Sequence, residues 1–191
     1  MNGRKISKTL LVKQGAEGER AQVVIDGSNE DGELRWAAVK ALTPPKKEVE
    51  SALILDDATY VPFPFCELAW ILPDRTGVLV IFRPGSYTHS DGRDVFPCPN
   101  NAAIFNADGG LRCQLHFSDG PERSASYVIG RPFTRTITHT TLPIGQRGEP
   151  IDPPIVQFGV LVGTKVHPPE SFFVLNTETG ELTDGMFSVP R

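Results

Sequence analysis

Cysteine is scarce in this chain. There are three in 191 residues, Cys66, Cys98 and Cys113, an odd count with no C-x-x-C pair. A disulfide framework needs an even and denser set, so a stapled secreted mini-domain is excluded. The spacing of Cys98 and Cys113 is compatible with a bridge in an oxidising compartment. Cys113 alone reads as a small apolar residue on the inner face of a strand. Long apolar runs are lacking as well. Val78–Phe82 is typical and far too short to span a bilayer, and Met1–Lys13 has basic residues without the apolar core of a secretion signal. The expected location is therefore the cytoplasm, with no membrane association. Nor is there an excess of positive charge: 19 basic against 23 acidic residues leave −4, shared evenly between the two halves. Nucleic-acid binding rests on clustered Lys and Arg, so nucleic acid is not an expected partner. A mild acidic excess suits solubility, and it also suits steering toward a basic protein.

Recognisable catalytic motifs are absent. Ser124 and Ser126 have no G-x-S-x-G elbow around them, and no Gly-rich segment opens a helix to cradle a phosphate. His116, His139 and His167 are scattered, and Cys66, between Phe65 and Glu67, has no local feature that would lower its pKa. The expectation is a protein that is not an enzyme and carries no cofactor and no metal.

What is abundant is punctuation, with 18 Gly and 17 Pro. Many turns mean many short elements, which favours strands over long helices. A chain of 191 residues fits one domain, taken here as residues 1–191, and buries enough surface to need no staple. Three hairpins are legible. Leu68–Leu72 and Val78–Phe82 flank Pro73-Asp74-Arg75-Thr76-Gly77. Ala103–Phe105 and Leu111–Phe117 flank Asn106-Ala107-Asp108-Gly109-Gly110. Phe172–Leu175 and Glu181-Leu182 flank Asn176-Thr177-Glu178-Thr179-Gly180. Asp and Asn bond nearby backbone in such turns, and Gly accepts positive φ. A weaker fourth copy joins Val23–Ile25 to Glu33-Leu34 through Asp31-Gly32.

Leu111, Cys113, Leu115 and Phe117 alternate with Arg112, Gln114 and His116, the signature of a strand with one wet face. Ile155–Val162 is apolar on both faces except Gln157 and Gly159 and reads as a doubly covered central strand. Ile6–Val12, Tyr127–Ile129 and Phe133–Thr141 are further strands, the last with a hydroxyl ladder of Thr134, Thr136, Thr138 and Thr140. Leu34, Ala37, Ala38, Ala41 and Leu42 fall at helical spacing before Pro44-Pro45, although Leu34, Trp36 and Ala38 also fit a strand. Lys46–Leu53 reads as a second short helix capped by Thr43. The fold class is mostly β: an antiparallel sandwich or curved open sheet with at most one or two short helices, the alternative being a small propeller-like repeat.

Two segments draw attention as surfaces. Tyr87-Thr88-His89-Ser90-Asp91-Gly92-Arg93-Asp94 gathers a phenol, an imidazole, two carboxylates and a guanidinium directly after an apolar strand. Loops on rigid scaffolds often carry function, so Tyr87, His89, Asp91, Arg93 and Asp94 are the candidate partner-binding residues. The same loop offers a hydrolase alternative, His89 working with a carboxylate. Asp56–Phe65 sets two acids beside three aromatics, and Phe63 and Phe65 read as a buried crossover. Trp36 or Trp70 would serve a small-ligand or glycan-binding module as a stacking surface.

The Asn106–Leu111 hairpin and the Leu175–Leu182 ending resemble small bacterial β-rich proteins of unassigned function, some of them toxin-immunity proteins. That resemblance implies a non-enzymatic binding protein whose partner is a toxin domain, blocked at its active site, often by acidic groups. It carries over no individual residue and leaves the oligomeric state open.

Overall fold

The computed structural model describes residues 4–26, 32–117, 127–137, 153–164 and 170–189. Strands dominate, as expected. β1 (Ile6–Gln14), β2 (Arg20–Ile25), β3 (Lys47–Leu55) and β4 (Tyr60–Pro62) form a first sheet in the order β2-β1-β3-β4. β5 (Ala69–Ile71), β6 (Gly77–Ile81), β7 (Ala102–Asn106) and β8 (Leu111–Gln114) form a second, a plain antiparallel meander. The third contains β9 (His116–Phe117), β10 (Tyr127–Ile137), β11 (Ile155–Thr164), β12 (Glu170–Leu175) and β13 (Glu181–Val189), in the order β10-β11-β12-β13-β9. Its β9–β13 pair is parallel; the other pairs are antiparallel. The first two sheets have four strands each in different orders and the third has five, so they are not copies of one propeller blade.

The second sheet is the middle layer. In β6, Val78, Leu79 and Val80 are all fully buried because successive side chains meet different neighbours. Val78 and Val80 pack with Ile6, Leu53 and Leu55 of the first sheet. Leu79 packs with Ile129, Val160, Val162 and Phe173 of the third. A strand covered on both faces must be apolar throughout, which explains the run Gly77–Ile81. Between the first two sheets lie six aromatic rings, among them Phe63 stacked on Phe65 at 4.7 Å and Phe82 stacked on Phe96 at 4.7 Å. Phe63 and Phe65 thus sit in the core, as the buried-crossover reading has it.

Polar staples fix the layers in register. Thr9 Oγ1 donates to Ala69 O at 2.7 Å, and Ser51 Oγ donates to Glu67 O at 2.8 Å. Arg75 donates to Ile6 O (2.9 Å), Ser7 O (3.0 Å) and Asp26 O (2.7 Å), tying the β5–β6 turn to the first sheet.

Several sequence expectations need correction. Lys46–Leu53 is not a helix; from Lys47 onward it belongs to β3, paired with β1 apart from a register shift at Val49, because a long-range partner outweighs weak local propensity. The fourth hairpin does not form. β2 pairs with β1 through the Gly15–Gly18 turn, and Glu33-Leu34 belongs to helix α1 (Gly32–Lys40). That helix ends before Pro44-Pro45, where Lys46 Nζ donates to Val39 O (2.7 Å) and Lys40 O (2.9 Å) and satisfies its last carbonyls. Leu111–Phe117 is two strands in two sheets. Leu111 is 54% exposed, whereas Leu115 and Phe117 are buried. Arg112 and Gln114 are half-buried, leaving His116 as the exposed polar residue of the segment. Ile155–Val162 is covered only at its far end: Ile155 and Val156 are 50% and 65% exposed, while Val160, Leu161 and Val162 are buried. Tyr127–Ile129 and Phe133–Ile137 are one strand with a register shift near Pro132. Thr134 and Thr136 are exposed on it; Thr138 and Thr140 lie outside the described residues. No disulfide links Cys98 and Cys113, since all three cysteines are free. No helix among the described residues is long and apolar enough to cross a membrane.

Candidate functional site

The segment singled out in the sequence is a long excursion between β6 and β7, leaving the strand ends opposite the β5–β6 and β7–β8 turns. Its base is closed by Phe82 N donating to Asn101 O at 2.8 Å. Above that, a miniature hairpin forms: Thr88 bridges Asp94, and Val95 N donates to Tyr87 O at 3.0 Å. At the tip, His89 N donates to Arg93 O (2.8 Å) and Gly92 N to His89 O (3.0 Å). Gly92 has φ of 84°, a conformation cheap only for glycine.

The five candidate residues divide between anchor and tip. Tyr87 is half-buried, its ring 5.3 Å from Phe65 and 5.7 Å from Phe82. It holds the hairpin onto the aromatic core. Asp94 is also half-buried and accepts Gly85 N at 2.7 Å. His89, Asp91 and Arg93 are exposed together at the tip. Asp91 accepts Arg93 N at 3.0 Å and Arg93 Nε at 2.7 Å. The Arg93 guanidinium, followed by its backbone N–H, holds the Asp91 carboxyl below its ordinary value. The His89 imidazole is bonded to no carboxylate among the described residues, so the geometry supplies no base–orienter pair of the kind the hydrolase alternative needs.

The tryptophans are occupied in other ways. Trp36 is half-buried with Lys13 Nζ 5.3 Å above its ring, and Trp70 packs against the core between the second and third sheets. His139 and His167 lie outside the described residues. Burial pushes the thiols of Cys66 and Cys113 up, away from nucleophilic character. Among the described residues, no three His, Cys, Asp or Glu side chains gather as a metal site.

Sequence reading missed the other end of the molecule. There Arg112, with its side chain only 12% exposed, gathers three turns. Its Nε donates to Asn106 Oδ1 (2.7 Å), Nη1 to Thr177 O (3.2 Å) and Glu178 Oε1 (3.5 Å), and Nη2 to Thr76 O (3.1 Å) and Oγ1 (2.9 Å). Alternation alone placed Arg112 on a wet face. The signal available was a lone arginine set among three Asx-rich turns that each leave carbonyls to satisfy. Beside this clasp a cavity of about 520 Å3 opens between the first and second sheets. In comparisons with known proteins the chain matches no family model, no curated protein and no solved structure.

Proposed function

We propose that the chain is a non-enzymatic binding protein that docks on a protein partner through the His89–Arg93 tip. In its most concrete form it is an immunity-type inhibitor that covers the active site of a basic bacterial toxin domain in the cytoplasm. The observation that carries this reading is the division of the excursion: an exposed tip of imidazole, carboxylate and guanidinium stands on a base locked by Tyr87, Asp94 and Asn101. A tip held in one shape loses little conformational freedom on binding, which preserves affinity that a loose loop would forfeit. The net charge of −4 favours approach to a basic surface and chiefly raises the association rate.

The test is affinity capture with the intact chain from the organism that encodes it. The reading expects a basic protein recovered at equal stoichiometry, whose activity falls when the two are mixed. Recovery of no stoichiometric protein, or turnover of a metabolite by the purified chain, contradicts it.

A further inference from the structure

We propose that the cavity at the turn end is a binding site for a small carboxylate with an apolar body, separate from the docking tip and not dependent on it. Its wall is apolar, formed by Leu55, Val61 and Ala107 from the first and second sheets. At about 520 Å3 it is of the size that holds small ligands. What matters is which polar groups on its lining remain available.

Arg112 contributes charge but no open donor, because its N–H groups are engaged with Asn106, Thr76, Thr177 and Glu178. That engagement sets the orientation of its neighbour. Since Asn106 Oδ1 accepts from Arg112, the Asn106 Nδ2 end is the one left without a bond among the described residues. Arg4 meets Asp57 through Nε at 3.3 Å, and no hydrogen bond engages its two Nη groups among the described residues. Asp108 accepts Gly110 N through Oδ1 at 2.8 Å, leaving Oδ2. Among the lining side chains the open inventory is three nitrogen donor groups against one carboxylate oxygen. A ligand that accepts hydrogen bonds satisfies more of it than one that donates. A carboxylate matches the forked Arg4 guanidinium, and Asn106 Nδ2 adds a third donor. The hydrocarbon part then lies on Leu55, Val61 and Ala107, while Asp108 repels a second negative charge.

The probe is phenylacetate, titrated into the full chain and followed by amide chemical shifts, with phenethylamine as the cationic counterpart of the same shape. Saturable shifts at Val61, Ala107 and Asn106 are expected with phenylacetate, at a dissociation constant at least tenfold lower than for phenethylamine. Arg4→Gln should weaken phenylacetate about tenfold, whereas Asp108→Asn should strengthen it two- to threefold. Both are surface changes that leave the core intact. Val61→Trp, which fills the cavity, should abolish the shifts in a protein whose remaining amide spectrum is native. The proposal fails if phenethylamine binds as tightly or more so, if phenylacetate does not bind, or if binding ignores Arg4→Gln and Asp108→Asn.

Discussion

Asn101 and Ile129 exchange two hydrogen bonds between the second and third sheets. Ile129 N donates to Asn101 Oδ1 at 2.9 Å, and Asn101 Nδ2 donates to Ile129 O at 3.3 Å. A side-chain amide here imitates the edge of a neighbouring strand. The same Nδ2 also donates to Phe82 O at 3.0 Å, so one buried residue, 2% exposed, closes the base of the excursion and joins two layers. Replacing Asn101 with alanine leaves a buried N–H and two carbonyls without their partner. A loss of about 2–3 kcal/mol is expected, read as a lower urea midpoint with an unchanged slope.

Arg112 plays the corresponding part at the opposite end. Arg112→Met keeps much of the side-chain volume but removes bonds to three turns. Bonds to a charged donor contribute more than neutral ones, and a cost of about 2–3 kcal/mol is expected. Amide exchange should accelerate first in the Asn106–Gly110 and Asn176–Gly180 turns, which the guanidinium holds together.

Two glycines with similar backbone should respond differently to alanine. Gly92 has φ of 84° and Gly180 of 79°. Nothing lies within 4 Å of a Cβ at Gly92, so only the backbone penalty of about 1 kcal/mol applies. At Gly180 a Cβ would run into the Gln114 carbonyl, so the backbone itself must shift. Gly180→Ala should cost at least twice as much as Gly92→Ala in paired thermal or urea melts.

Glu48 links stability to pH. Burial by itself pushes its carboxyl up. The hydrogen bond from Lys13 and the charges of Arg83 and Lys13 outweigh that and hold it below its ordinary value. Lys13 Nζ lies 2.8 Å and Arg83 Nη2 3.4 Å from the same Glu48 oxygen. A carboxyl with a lowered folded pKa contributes stability above its unfolded value and loses it as pH falls through the folded one. Glu48→Gln should therefore destabilise by about 1 kcal/mol at neutral pH. The difference should shrink once the pH drops below about 4.5, the ordinary glutamate value. Urea melts of both proteins across that range check the sign.

The parts of the fold legible in sequence were those decided locally. Pro73–Gly77, Asn106–Gly110 and Asn176–Gly180 announce their turns because Asp, Asn and Gly satisfy turn backbone within a few residues. The mostly β class followed from them. What could not be read was decided by distant partners. Lys47–Leu55 carries helix-compatible residues, and pairing with Ile6–Gln14 and Tyr60–Pro62 makes it a strand. Leu111–Phe117 alternates without a break, yet the chain crosses from one sheet to another at Leu115. The 87–94 loop was visible as a concentration of polar groups, but not the inward turn of Tyr87, which depends on Phe65 and Phe82 far away in sequence. The cavity beside Arg112 had no local signature, since its walls come from two sheets.

The proposed docking contact is made by the His89–Arg93 tip. It is tested most directly by association and dissociation rates of the captured partner against three proteins: the native chain, a tip variant with His89→Ala, Asp91→Ala and Arg93→Ala, and an opposite-end control, Asp74→Asn. The tip variant should bind at least tenfold more weakly, with the loss mainly in dissociation, while the control matches the native chain. Equal affinities for the tip variant and the native chain, with both proteins folded, would contradict it.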